Sequence, residues 1–254
     1  MAHLHIGTSG WVYRSWKGPF HPDTVPSRRY LAFYAQEFST TEINSSFYHL
    51  PRSTTFTKWA EQVPEDFIFA VKASRFLTHI KRLLDPEEPW QRLVDSAVNL
   101  GCRLGPILLQ FPPSFKINAT RLEAFFKVAK AVKMRPPPLK LVCEFRHESW
   151  FHPDIYRLLN RYHVAWCIAD GAKYPRKDLV TTDFAYIRYH GRSEMFASNY
   201  SKAILLKEAR LIQQYLRDGL DVFVYFNNDA NGNAVRNARL LKRVLAAMKV
   251  TAPA

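Results

Sequence analysis

Leu141-Val142-Cys143-Glu144-Phe145-Arg146-His147-Glu148-Ser149-Trp150 begins as a short apolar run and turns abruptly polar. The run fits a buried strand. Glu144, Arg146 and His147 follow at once, so an acid, a fixed cation and a titratable base arrive together at one end of a sheet. The same ending recurs along the chain, and its recurrence decides the fold.

Outward from that stretch, seven more strands are predicted: 3–8, 40–44, 67–72, 106–111, 164–169, 184–189 and 222–226. Helical signals alternate with them. Ser27 is placed as the N-cap of a helix reaching Glu37, and Ser53 as the cap of another reaching Gln62. Further helices are predicted over 90–100, 154–162, 202–218 and 233–248. An apolar stripe of Leu122, Phe125, Phe126, Val128, Ala129 and Val132 predicts one more, stopped by Pro136-Pro137-Pro138. Gly171 to Asp183 carries no helix signal, so the helix after strand six is irregular or missing.

Strands alternating with helices imply a parallel sheet, and 254 residues suit a TIM (β/α)8 barrel. An open doubly wound sheet usually has a glycine-rich phosphate turn after its first strand. Thr8-Ser9-Gly10-Trp11 lacks those further glycines. With no linker, repeat or low-complexity tract, one domain over 1–254 is expected.

Lys and Arg outnumber Asp and Glu 36 to 22, a net charge of +14. That excess favours anionic partners, a small anionic molecule or nucleic acid. No apolar run approaches a membrane span, and the first residues lack a basic segment followed by an apolar one. Cys102, Cys143 and Cys167 form no paired spacing, which fits reduced thiols, expected to be buried, rather than a disulfide or zinc framework. The expectation is a cytoplasmic protein with no membrane partner, in which the sequons at Asn44, Asn118 and Asn199 are chance matches.

Several phrases then stand out together: Gly7-Thr8-Ser9-Gly10-Trp11, Glu42-Ile43-Asn44-Ser45-Ser46-Phe47-Tyr48, Phe69-Ala70-Val71-Lys72-Ala73-Ser74, Leu109-Gln110-Phe111-Pro112-Pro113, Glu144-Phe145-Arg146-His147 and Tyr225-Phe226-Asn227-Asn228-Asp229. The chain closely resembles the family known as domain of unknown function 72, or YecE-like, from end to end. The resemblance implies a TIM barrel. It assigns no activity.

Reactive groups of such barrels sit at the carboxyl ends of the strands. Those ends supply Thr8, Ser9 and Trp11, then Glu42, Asn44 and Ser46, then Lys72, then Gln110, with Tyr13 and Tyr48 on loops beside them. The second half adds Glu144, Arg146 and His147, then Asp170, Arg188 and His190, and finally Asn227, Asn228 and Asp229. Their convergence makes a binding site the expectation. Glu42, Glu144, His147, Asp170 and His190 are the candidate catalytic groups. Lys72, Arg146 and Arg188 could clamp an anion, or form a salt-bridge ring with the acids. Trp11, Tyr13 and Tyr48 could stack a sugar or base, or merely anchor loops. Thr8, Asn44, Gln110, Asn227, Asn228 and Asp229 are candidate substrate contacts, with Asp229 also a possible helix cap.

Three functions fit. The first is an enzyme cleaving a phosphoester in an anionic substrate, nucleic acid included. The second is a metal-independent sugar enzyme using Glu42 and Glu144 as a carboxylate pair. The third is a nucleic-acid-binding protein without turnover. No organic cofactor is expected. The His and carboxylate set is compatible with a divalent metal, but no HxH or HExxH spacing supports one and nearby arginines oppose it.

Overall fold

In the computed structural model, which describes residues 2–132 and 138–250, eight strands form one sheet. They are β1 Leu4–Thr8, β2 Thr40–Ile43, β3 Ile68–Lys72, β4 Leu104–Gln110, β5 Leu141–Glu144, β6 Val164–Asp170, β7 Phe184–Tyr189 and β8 Asp221–Phe226. All paired neighbours run parallel, in the order β1-β8-β7-β6-β5-β4-β3-β2. A single bridge between Ser9 and Glu42 joins the two ends of that order, so the barrel is nearly closed. The expected TIM-barrel architecture is present.

Side chains seal the seam where ladder bonds run out. The Tyr34 hydroxyl accepts from Thr8 N–H and donates to Thr40 O, each at 3.0 Å. Thr41 adds a bond to Thr8 O, also at 3.0 Å. These partners matter because a buried backbone group without one is costly. Gly7 makes the approach possible: a Cβ there would lie 2.1 Å from Thr40 O.

The helices are α1 Tyr30–Tyr34, α2 Ser45–Tyr48, α3 Ser53–Ala60, α4 Glu87–Ala97, α5 Ala119–Ala131, α6 Pro153–Tyr162, α7 Lys202–Arg217 and α8 Asn233–Val250. Two predicted caps are wrong. Ser27 opens a 3-10 turn, Ser27–Arg29, ahead of α1, and Ser53 lies inside α3, whose uncapped N-cap position is Arg52. Asn118 and Ser201 do cap, accepting from Arg121 N–H and Ile204 N–H. α5 ends at Ala131, ahead of the proline run, and Pro136 and Pro137 lie outside the described residues.

No helix joins β6 to β7, as predicted. The segment instead lies back along β6. Thr181 Oγ1 donates to Val164 O at 2.6 Å and accepts from Trp166 N–H, while Trp166 Nε1 donates to Lys177 O at 3.2 Å.

Two apolar layers result. Ala70, Leu108, Val142, Cys167, Tyr186 and Tyr225 fill the barrel interior. Phe69, Val71, Ile107, Leu109, Ile187 and Phe226 face the surrounding helices. Side chains two apart on a strand share a face. The interior phase therefore carries Ala70 on to Lys72, Leu108 to Gln110, Val142 to Glu144 and Tyr186 to Arg188. Cys143 and Cys167 are buried and free, but Cys102 is exposed. No helix among the described residues is long and apolar enough to cross a membrane.

Candidate active site

Arg188 stands at the centre of the upper barrel. Its Nη2 lies 2.6 Å from Glu42 Oε1, and its Nη1 bonds Glu144 Oε2. All three side chains are fully buried. Glu42 also accepts from the Ser9 hydroxyl at 2.8 Å and the Tyr186 hydroxyl at 2.6 Å. Glu144 receives Arg146 Nε at 2.8 Å. Burial alone would raise the Glu144 carboxyl, but the two guanidiniums outweigh it and hold the group well below the usual carboxylate range. Glu42, Glu144 and Arg188 are thus a salt-bridge ring, and Arg188 has no free fork for an incoming anion.

Lys72 is different. It is only 8% exposed, and its Nζ sits 4.0 Å from the centroid of the Phe47 ring. No carboxylate of the described residues pairs with it. Burial, with Arg188 and Arg146 close by, overcomes the pull of Glu144 and Glu42 and lowers the amine to about 7. Arg146 is the other open cation. Its guanidinium rests 4.1 Å over the Tyr174 ring, and beyond the Nε bond to Glu144 its terminal nitrogens have no hydrogen-bond partner among the described residues.

His190 is fully buried between the rings of Tyr174 and Phe196. Its Nε2 lies 3.5 Å from Glu144 Oε1, and the Asn227 amide is 3.0 Å from its Nδ1. Burial dominates over Glu144 and lowers it to about 4, leaving a neutral imidazole near pH 7. His79 behaves alike: burial, then Lys72 and Arg146, bring it to about 4, with its Nε2 3.4 Å from the Gln110 amide. Asp229 shifts the other way. Burial pushes its carboxyl up to about 7 against the Tyr13 hydroxyl and Arg188, and its Oδ1 is buried with no partner among the described residues. It makes no capping bond at the following turn, contrary to expectation.

The mouth thus gathers Glu42, Lys72, Gln110, Glu144, Arg146, Arg188, His190, Asn227 and Asp229 from the predicted set. Others are elsewhere because they have the opposite phase. Asp170, next to the inward Ala169, faces outward and accepts from Arg176, Arg192 and Tyr200. Arg176 and Arg192 also hold Glu208 of α7, so this network pins loops. Thr8 serves the β1–β2 seam through Tyr34. Asn228 binds Ser198 O and Asn237 behind the strand. His147 folds onto Ser149 N–H at 3.1 Å, capping a 3-10 turn. None of the four is a mouth residue.

Trp11 is buried edge-on against Trp59 at 5.2 Å, so it anchors its loop. Tyr13 bonds Ser9 O. Both, with Asn44, line a cavity of about 550 Å³ beside the mouth, within the size range of ligand pockets. Tyr48 is 70% exposed and the one predicted stacking aromatic open to solvent. Unpredicted mouth residues are Tyr186, His79 and Tyr174. Tyr186 had a signal, standing two positions before Arg188. His79 lies in a π-helical turn, Phe76–Ile80, whose period leaves no familiar pattern.

Among the described residues, no three His, Cys, Asp or Glu side chains gather as metal ligands.

Comparison with known proteins agrees with this architecture. Over 95% of its length the chain is 26% identical to the UPF0759 protein YunF of Bacillus subtilis, covering 94% of that protein. A crystal structure of a DUF72 family protein from Thermotoga maritima superposes with a TM-score of 0.84 at 29% identity, over 96% of this chain and 99% of that one. A D-psicose 3-epimerase from Clostridium cellulolyticum shares the fold alone, with a TM-score of 0.57 at 11% identity, over 99% of this chain and 98% of that one. The model of the family described as protein of unknown function DUF72 matches residues 5–254, and the chain belongs to that family.

Proposed function

We propose that the barrel mouth is the active site of an enzyme acting on a small anionic substrate, with Lys72 as a neutral amine base and Asp229 as the acid. One observation carries this reading: both buried glutamates are already held by Arg188, while Lys72 is buried among cations with no carboxylate of its own. A base poised near neutrality is what proton transfer at pH 7 requires. Arg146 presents its open terminal nitrogens to the anion, in the fork geometry that suits phosphate or carboxylate. Arg75 and Lys173 add exposed positive charge on neighbouring loops.

In phosphoester cleavage, Lys72 would take the proton of the attacking water and Asp229 would protonate the leaving oxygen. The carboxylate-pair sugar reading has less support. Glu42 and Glu144 accept from donors on every side, and a glycosidase needs one protonated member.

Turnover of p-nitrophenyl phosphate and bis(p-nitrophenyl) phosphate across pH tests the proposal. The expected profile is a bell centred near pH 7, with a loss of about 10²–10⁴-fold in Lys72→Met. Equal rates in wild type and Lys72→Met would overturn it. Salt-sensitive binding of a single-stranded oligonucleotide with no turnover would instead favour a nucleic-acid-binding protein.

A further inference from the structure

We propose that Lys72 acts as a nucleophile, forming a Schiff base with the carbonyl carbon of an anionic aldehyde or ketone. The inference rests on the mouth being an active site and goes further by naming the bond that forms.

Five charged or titratable side chains and one aromatic ring surround the amine. From β2 comes Glu42, from β5 Glu144, from the loop after it Arg146, from β7 Arg188, and from the turn after β3 His79. The centroid of the Phe47 ring of α2 lies 4.0 Å from the amine. Each carboxylate in that shell is saturated by other donors. The other buried cation of the described residues, Arg188, holds two acids. Lys72 holds none. A buried unpaired ammonium is far costlier than a buried neutral amine, and among the cations at the mouth only a lysine can discard its charge. A desolvated amine beside other cationic groups has an available lone pair, which is how Schiff-base lysines are activated.

The chemistry balances without an external oxidant or reductant. The Nζ lone pair attacks the carbonyl carbon, a C–N bond forms, and the C=O π pair moves to oxygen. That oxygen takes one proton from Nζ, giving a neutral carbinolamine. Its hydroxyl then leaves as water with a proton supplied by the Asp229 carboxyl, and the nitrogen lone pair closes the C=N bond. The product is a protonated imine on Lys72 and an Asp229 carboxylate, and addition of water reverses both changes. Arg146, with terminal nitrogens unbonded beside Tyr174, is placed to hold the anionic end of the same molecule.

Reductive trapping tests it. The protein is incubated at pH 7 with sodium cyanoborohydride and, separately, pyruvate or glyceraldehyde 3-phosphate, then mapped by peptide mass spectrometry. At least one probe is expected to label Lys72 about 10–100-fold faster than any exposed lysine, because near pH 7 a larger share of it is neutral. The adduct is absent in Lys72→Arg of unchanged circular dichroism. Labelling confined to exposed lysines with both probes overturns the proposal. Competitive acetylation across pH then separates the two readings. Half-acetylation of Lys72 near pH 7 without a trapped adduct leaves it a base and removes the Schiff base. Half-acetylation near 10.5 removes both.

Discussion

Arg188 Nη2 lies 2.6 Å from Glu42 Oε1, joining β7 to β2 across the barrel interior with both side chains fully buried. The other terminal nitrogen holds Glu144, so one guanidinium fixes two carboxylates that water cannot reach. Removing one member of such a set leaves uncompensated charge, which costs about 3–5 kcal/mol.

Arg188→Met is therefore expected to unfold roughly 6–20 °C below wild type. Adding Glu42→Gln to that variant should recover part of the loss, because one orphaned charge is gone. Thermal unfolding of the three proteins checks this. A single variant as stable as wild type would mean that the ring does not hold the barrel.

Lys72 contributes a pH dependence of defined sign. Its amine titrates near 7 in the folded chain and near 10.5 when exposed. Between those values the unfolded chain binds more protons, so this group makes stability rise with pH. Below about 7 the fold carries the whole cost of a buried ammonium. Lys72→Met is expected to raise the melting temperature most at pH 6, with the gain shrinking as pH passes 7 toward 10.

Asp229 has the opposite sign. Its carboxyl titrates near 7 when folded against 3.8 in the open chain, so the folded state binds more protons in that window and loses stability as pH rises. Asp229→Asn should be nearly neutral near pH 4 and stabilising at pH 8. Melting curves at the two pH values suffice to check it.

The seam between β1 and β2 gives a test independent of charge. A Cβ at Gly7 would meet Thr40 O at 2.1 Å, so Gly7→Ala forces the two strands apart. The expected loss is at the upper end of about 1–3 kcal/mol by urea unfolding. A change within experimental scatter would mean the seam is not tight.

Strand positions, and with them the barrel, were legible because apolar runs ended repeatedly in polar groups. Which of those groups face inward was not. Strands of a parallel barrel are buried on both faces, so their apolar residues do not alternate and the inward phase is hidden. Asp170 and Asn228 looked equivalent to Glu144 and Asn227, yet they fall on the helix-facing side and bind loops and helices. Choosing Arg188 as inward would have placed Tyr186 inside as well, since the two are one period apart. Pairing was equally invisible: nothing in the order of residues says that Arg188 occupies both glutamates and leaves Lys72 with neither. His147 and Ser27 show the same limit locally, where short 3-10 turns replaced the expected site and cap.

The most direct measurement is a pH titration of Lys72 by NMR in protein carrying ¹³Cε-labelled lysine, assigned with Lys72→Arg. One Cε resonance is expected to titrate near pH 7, well below the 10.5 of an exposed lysine, and to be missing from the variant. A Lys72 resonance that stays fully protonated until pH 10 would contradict the account, because an amine still charged at neutrality could be neither base nor nucleophile there.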